Sequence, residues 1–62
     1  MIKKGKSVHV KGDSKVYTVM AAWKLDSFQK EDNPGAIYGY EIEARKGVVQ
    51  VIVDTQIERI ER

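Results

Sequence analysis

Apolar and polar residues alternate in several short stretches of this 62-residue chain, and the alternation predicts strands rather than helices. The clearest stretch covers residues 37–44, where aromatic and aliphatic side chains take one face while Glu41 and Glu43 take the other. Val8–Lys11 is a shorter, half-buried strand of the same kind. Residues 16–23 are apolar on both faces, so we expect that strand to be covered on both sides, in part by another subunit.

The segments between these strands carry turn signals. Arg45–Gly47 predicts a tight hairpin, because glycine adopts the positive φ angle that such turns need. Residues 48–53 then return as a valine-rich strand, and residues 57–60 form a closing strand after a short turn. Residues 24–36 are polar, and we expect an exposed loop there. Leu25 and Phe28 lie three apart, so a single helical turn packed over the barrel stays open, although Asp26, Ser27 and the length of the segment argue against a stable helix.

The valine-rich strand carries the candidate binding residues. We expect Val49 and Val51 to enter the core, which leaves Gln50 pointing outward between the aliphatic side chains of Val48 and Ile52. A single polar group on an apolar outer face indicates a contact surface. The candidate binding residues, on this outer strand face or at a pore, are therefore Val48, Gln50, Val51 and Ile52.

The order of these elements is that of an SH3-like barrel: a short strand, a longer strand, a loop, two hairpin-linked strands and a closing strand. Three motifs resemble those of small bacterial and phage SH3-like domains: Gly5-x-x-Val8, Tyr17-Thr18-Val19 and Tyr40-Glu41-Ile42. We therefore expect residues 1–62 to form one all-β domain, a small SH3-like barrel of about five strands. Barrel closure removes exposed sheet edges.

The size and composition of the chain limit how it can be stabilised and where in the cell we expect it. A domain this small buries only about 60% of the surface that its unfolded chain exposes. The absence of cysteine excludes a disulfide, and a single histidine, His9, argues against a metal site. Oligomerisation is the remaining common way to stabilise such a chain, so we expect a homo-oligomer. With no signal segment and no apolar run of about 20 residues, we expect a cytoplasmic protein without membrane contact.

Basic residues concentrate in the first part of the chain. Residues 1–24 carry six lysines against one aspartate, whereas residues 25–62 carry five basic and eight acidic side chains. The lysines could contact nucleic-acid phosphates or the acidic part of a neighbouring subunit. Solvated lysines that keep a small protein soluble are the commoner case. The candidate nucleic-acid contacts are Lys3, Lys4, Lys6, Lys11 and Lys15.

The end of the chain carries one more motif. An exposed turn is followed by a Val-Gln-Val-Ile strand at residues 49–52 and then by Ile-Glu-Arg-Ile at residues 57–60. The chain thereby resembles the plasmid-borne type II dihydrofolate reductase family, whose subunit is an SH3-like barrel. The matching positions are Tyr38, Glu41, Glu43, Ala44, Gly47, Val49, Gln50, Glu58, Arg59 and Ile60, with Gly5, Val8, Lys11 and Trp23 before them.

The resemblance implies a homotetramer whose central pore binds folate and NADPH. Gln50 corresponds to the pore glutamine of that family, and Val51 to the isoleucine whose backbone meets the ligands. Ile52 stands in place of the family's tyrosine and Val48 in place of its pore serine. An anionic cofactor needs cationic or hydrogen-bonding partners, and a pore faced by these two aliphatic residues offers few.

Two functions therefore remain open. The favoured hypothesis is a non-catalytic, oligomeric SH3-like module that binds a protein or nucleic-acid partner and needs neither cofactor nor metal. The alternative is an enzyme, an NADPH-dependent reductase of the type II dihydrofolate reductase kind with a pore at a tetramer axis. The sequence offers no catalytic residue for either hypothesis; for the second, the resemblance carries over two pore positions, Gln50 and Val51.

Overall fold

The computed structural model describes residues 1–61, and five β-strands make up most of it. The strands are β1 (Ser7–Val10), β2 (Val16–Lys24), β3 (Tyr38–Arg45), β4 (Val48–Val53) and β5 (Ile57–Ile60). They form one antiparallel sheet in the order β4-β3-β2-β1-β5. The prediction of a small all-β fold is confirmed. Within residues 1–61, no helix is long and apolar enough to cross a membrane.

The core lies on the inner face of this sheet, which curls into a barrel-like shape. Its members are Val8, Tyr17, Val19, Tyr40, Ile42 and Ile52. β2 is the central strand of the sheet, and β1 pairs with β2 on one side and with the end strand β5 on the other. The two end strands of the sheet, β4 and β5, are joined through a 3-10 helical turn at Asp54–Gln56.

A bulge in β2 changes which of its residues face the core. The register shifts between Val19 and Ala21, so Met20 is the extra residue. Beyond the bulge, Ala22 lies opposite the buried Tyr40 and packs against the core. Strict alternation would have placed Ala21 there instead. The core-facing residues of β2 are therefore Tyr17 and Val19 before the bulge and Ala22 after it, so the bulge switches which face of the strand is buried.

The connection between β2 and β3 contains a short helix, α1 (Ser27–Asp32), where we expected an exposed loop with at most a single helical turn. A capping box starts it: the Asp26 carboxylate accepts the Gln29 amide N–H at 2.9 Å, and the Gln29 side chain accepts the Asp26 N–H at 3.1 Å. The buried Leu25 anchors the chain just before the helix. Reciprocal capping and this anchor together stabilise a helix that its length alone disfavours.

The faces of β4 are opposite to those expected from the sequence. Gln50 pairs with the fully buried Ile42, and residues directly opposite each other share a face, so Gln50 lies on the inner side. Ile52 enters the core and is only 7% exposed, whereas Val49 and Val51 lie outside, 47% and 67% exposed. An irregularity in the register near the end of β3 accounts for the difference, because a one-residue shift moves every side chain of a strand to the other face.

Two local contacts hold β3 in place. The Asp54 carboxylate accepts the backbone N–H groups of Ile37 and Tyr38, each at 3.1 Å, and so ties the 3-10 turn to the start of the strand. On the outer face, the indole of Trp23 lies across its cross-strand partner Gly39. A Cβ atom at position 39 would lie 2.6 Å from the indole ring. Glycine is therefore the residue that lets this ring lie flat on the sheet.

Candidate binding site

One edge of β4 is open. Among residues 1–61, the strand pairs only with β3, and the Val53 N–H donates to the Gln56 side-chain oxygen at 3.0 Å rather than to β3. In an antiparallel ladder, residues that bond to the neighbouring strand alternate with residues whose backbone groups point away from it. The N–H and C=O groups of Val49 and Val51 therefore point toward the open edge, as those of Val53 do. β4 presents a row of backbone donors and acceptors that another strand could pair with.

The outer face beside this edge is apolar with an acidic border. Val49 and Val51 project from it, and their cross-strand partners on β3 are Glu43 and Glu41. Neither glutamate forms an ion pair within residues 1–61. An aliphatic side chain placed against the two valines would find complementary surface, whereas a carboxylate placed there would be repelled by the glutamates.

The inner face of β4 borders a groove of about 540 Å³ near the β3–β4 hairpin. The start of β2, the end of β3 and the start of β4 meet there because neighbouring strands run antiparallel. The lining residues are Lys15, Val16, Tyr17, Ala44, Arg45, Val48 and Gln50. The cations Lys15 and Arg45 are both exposed, and neither forms an ion pair within residues 1–61. The groove thus combines two free positive charges with an amide and exposed valine side chains.

A hydrogen-bonded pair fixes the wall of the groove. The Tyr17 hydroxyl donates to the Asp13 carboxylate at 2.5 Å, and the same carboxylate accepts the Lys15 backbone N–H at 2.8 Å. These two bonds, first that from Tyr17, hold the pKa of Asp13 below its usual value. The bond to Asp13, followed by burial of the ring, raises the pKa of Tyr17. Asp13 is therefore ionised and Tyr17 protonated at neutral pH, which keeps the phenol in place.

The structure divides the four predicted binding residues among three environments. Val48 and Gln50 line the groove, Val51 lies on the outer face, and Ile52 is buried in the core. The prediction that all four share one contact surface is therefore wrong for Ile52, because a core residue has no surface to offer. Arg45 lines the groove but was not among the predicted binding residues. The sequence signal that could have identified it is its position in the basic turn just before Val48.

The five candidate lysines are all exposed, but they do not form one patch. Lys3, Lys4 and Lys6 precede β1, whereas Lys11 and Lys15 lie in the turn that follows it. The two groups therefore lie at opposite ends of a strand about 13 Å long. Lys15 alone among them lines the groove.

His9 takes part in a structural contact between β1 and β5. Its Nε2 atom contacts the Glu61 carboxylate, and the Arg59 guanidinium lies 3.4 Å from the same ring nitrogen. Among residues 1–61, no group of three or more histidine, aspartate and glutamate side chains is placed to hold a metal ion. The contact links the last strand to the first.

Comparison of the chain with protein-family models, with curated proteins and with solved structures finds no match. The resemblances to SH3-like domains and to type II dihydrofolate reductases therefore stay predictions from the residues that carry them. The case for a function rests on the geometry of β4 and its groove.

Proposed function

We propose that the protein is a non-catalytic, oligomeric SH3-like module that binds a protein partner as an extended strand along β4. The observation that carries this proposal is the open edge of β4, where Val49 and Val51 present both backbone groups and side chains. Strand addition gives affinity through main-chain hydrogen bonds and specificity through alternate side chains. An exposed valine-rich edge is a liability for a protein unless something pairs with it.

The strand order supports the SH3-like part of the proposal. β1 pairs with both β2 and β5, β2 to β4 follow as successive antiparallel neighbours, and a 3-10 turn joins β4 to β5. Within residues 1–61, the two end strands of the sheet do not pair with each other, so β4 and β5 each keep one unpaired edge.

The oligomeric part of the proposal rests on a different surface. Phe28 on α1 is 80% exposed, and Ile37 in the same β2–β3 connection is also exposed. Burial of these two side chains between subunits would remove apolar surface from water and so stabilise an oligomer. Sedimentation of the wild type is expected to give a mass above that of the 7.1 kDa chain, and Phe28→Ser to lower it. A wild-type monomer would remove this part and leave strand binding untouched.

Strand binding is tested with an edge proline. The outward N–H of Val51 is the donor that an added strand would use, so Val51→Pro removes that donor and spares the β3–β4 ladder. Val51→Ala is the matched control, because it keeps the N–H. The probe is a capped peptide of alternating valine and glutamine as long as β4, titrated into labelled protein and followed by amide NMR shifts.

We expect the wild type and Val51→Ala to show peptide-dependent shifts along β4, and Val51→Pro to lose about tenfold or more in affinity. Circular dichroism checks that the proline variant is folded. Equal affinity of a folded Val51→Pro variant and the wild type would refute binding along this edge, as would the absence of any shift in the wild type.

A reductase of the type II dihydrofolate reductase kind is the second candidate. The observation that favours it is the groove itself, which places the Gln50 amide together with Lys15 and Arg45, cations of the kind that NADPH and folate require. In this case, symmetry-related copies of Gln50 would bind both ligands at a pore on a tetramer axis. NADPH oxidation in the presence of dihydrofolate is the test. The absence of both turnover and NADPH binding by calorimetry would eliminate the candidate.

A further inference from the structure

The two sides of the open β4 edge differ in charge. On the inner side, the groove holds the cations Lys15 and Arg45, which have no ion-pair partner within the described residues 1–61. The Asp13 carboxylate accepts hydrogen bonds from the Tyr17 hydroxyl and the Lys15 backbone N–H, and it forms no ion pair with Lys15 or Arg45 within residues 1–61. The inner side is therefore free to receive a carboxylate from a ligand, and the planar Arg45 guanidinium suits one well.

The outer side has the opposite preference. Val49 and Val51 form its exposed surface, and the carboxylates of Glu41 and Glu43 stand opposite them on β3. A negatively charged side chain next to the valines would meet the like charges of Glu41 and Glu43. An aliphatic side chain would instead bury apolar surface against the valines.

Successive side chains of a strand point to opposite faces of its sheet. A strand added to β4 therefore sends every second side chain toward the groove and the others toward the outer valines. We propose that β4 selects a peptide strand in which acidic residues alternate with aliphatic ones, the carboxylates binding Lys15 and Arg45 and the aliphatic side chains packing on Val49 and Val51. This specificity rests on the strand binding proposed above.

The groove favours an acidic peptide over a nucleic acid. Single-stranded nucleic acids bind through bases that stack on exposed aromatic rings. The one aromatic residue of the groove, Tyr17, is 2% exposed, and its hydroxyl is bound to Asp13. The walls that are open to a ligand are the aliphatic Val16 and Val48, which suit a peptide side chain better than a base.

The experiment compares capped peptides as long as β4 that alternate valine with glutamate, with glutamine or with lysine. Binding is measured by fluorescence anisotropy with the full chain at two salt concentrations. We expect the glutamate peptide to bind about tenfold or more tightly than the glutamine peptide, and the lysine peptide to bind most weakly. The preference for glutamate should shrink as salt rises, because these charges are exposed.

Three variants test whether the groove cations cause the preference for the glutamate peptide. Arg45→Gln and Lys15→Gln should each reduce the ratio between the glutamate and glutamine peptides. Lys46→Gln is the matched control, because Lys46 lies in the same hairpin and does not line the groove. It should keep the wild-type ratio. A ratio that survives both groove variants would overturn the proposed selection.

The remaining outcomes separate this proposal from the one on which it rests. Equal affinity for the glutamate and glutamine peptides overturns the charge selection and leaves strand binding in place. The failure of every peptide to bind overturns both. A deoxythymidine oligomer that displaces the glutamate peptide, and whose own binding is lost in Arg45→Gln, would assign the groove to nucleic acid and overturn the choice of an acidic peptide.

Discussion

The inner and outer faces of the β3–β4 pair both carry aliphatic side chains, yet they differ in what these side chains contact. On the inner face, Ile42 and Ile52 are buried in the core. On the outer face, Val49 and Val51 are exposed beside an unpaired strand edge. Ile42 and Ile52 therefore stabilise the fold, whereas Val49 and Val51 offer a surface for contact. Substitutions on the two faces should accordingly affect different properties.

The largest effect is expected on the inner face from Ile42→Ala. The side chain is fully buried, so its truncation leaves a cavity and should cost about 2–5 kcal/mol of unfolding free energy. A domain of this size has a total stability of only about 3–9 kcal/mol, so much of the variant should be unfolded. Urea denaturation followed by Trp23 fluorescence measures the loss. Val51→Ala on the outer face is the control, and a greater loss there than for Ile42→Ala would show that the two faces are wrongly assigned.

A smaller loss is expected from Gly39→Ala on the outer face, where the Trp23 indole lies on the sheet. The added methyl group would meet the ring at 2.6 Å, so the indole must move, at a cost of about 1–3 kcal/mol. The emission of Trp23 should shift as its environment changes. In a Trp23→Leu background, the same Gly39→Ala change should cost less. Equal costs in the two backgrounds would mean that the clash with the ring is not the cause.

Much of this architecture could be predicted from the sequence, because it depends on local signals. Alternation in residues 37–44 identified β3, and the glycine at position 47, which has a φ of 86°, identified the hairpin. For α1, the sequence favours a loop and leaves open only a single helical turn, because the segment is short. Asp26 followed three residues later by Gln29 is a capping-box pattern, and it is the local signal for the helix that the structure contains.

The faces of β4 could not be predicted in the same way. Valine or isoleucine occupies positions on both sides of Gln50, so hydrophobicity alone does not say which side is buried. The choice depends on the irregular register near Ala44, which only the paired strands reveal. The groove followed from this register, since it brings Arg45 next to Val48 and turns Gln50 toward Tyr17. The cationic character of the site was therefore hidden in the sequence.

A smaller effect, confined to extremes of pH, is expected from Asp13 on the inner side of the sheet. Its pKa is lower in the folded protein than in the unfolded chain, so its stabilising effect is present above the unfolded pKa and is lost as pH falls through the folded one. For Tyr17, whose pKa is raised, the effect is full below the unfolded pKa and is lost as pH rises through the folded value. Asp13→Asn should flatten both limbs of a plot of melting temperature against pH.

Tyr17→Phe is the matched variant for this pair, because it keeps the buried ring and removes only the hydroxyl that donates to Asp13. It should weaken the acid limb and abolish the alkaline limb that belongs to this phenol. If the wild type and both variants show the same acid limb, the hydrogen bond between Tyr17 and Asp13 does not contribute to stability.

The smallest effect on stability, and the sharpest contrast between the faces, is expected from Val51→Thr. Threonine keeps the branched shape and the strand preference of valine, and its hydroxyl is solvated at this exposed position, so unfolding free energy should change by no more than about 0.5 kcal/mol. The same change at the fully buried Val19 places a hydroxyl in the core and should cost about 1–3 kcal/mol. Affinity for the valine–glutamate peptide should respond in the opposite order, with a loss in Val51→Thr and none in whatever fraction of Val19→Thr remains folded. If Val51→Thr destabilises the fold as much as Val19→Thr does, and binds the peptide as the wild type does, the outer valines are part of the core and β4 has no open contact face.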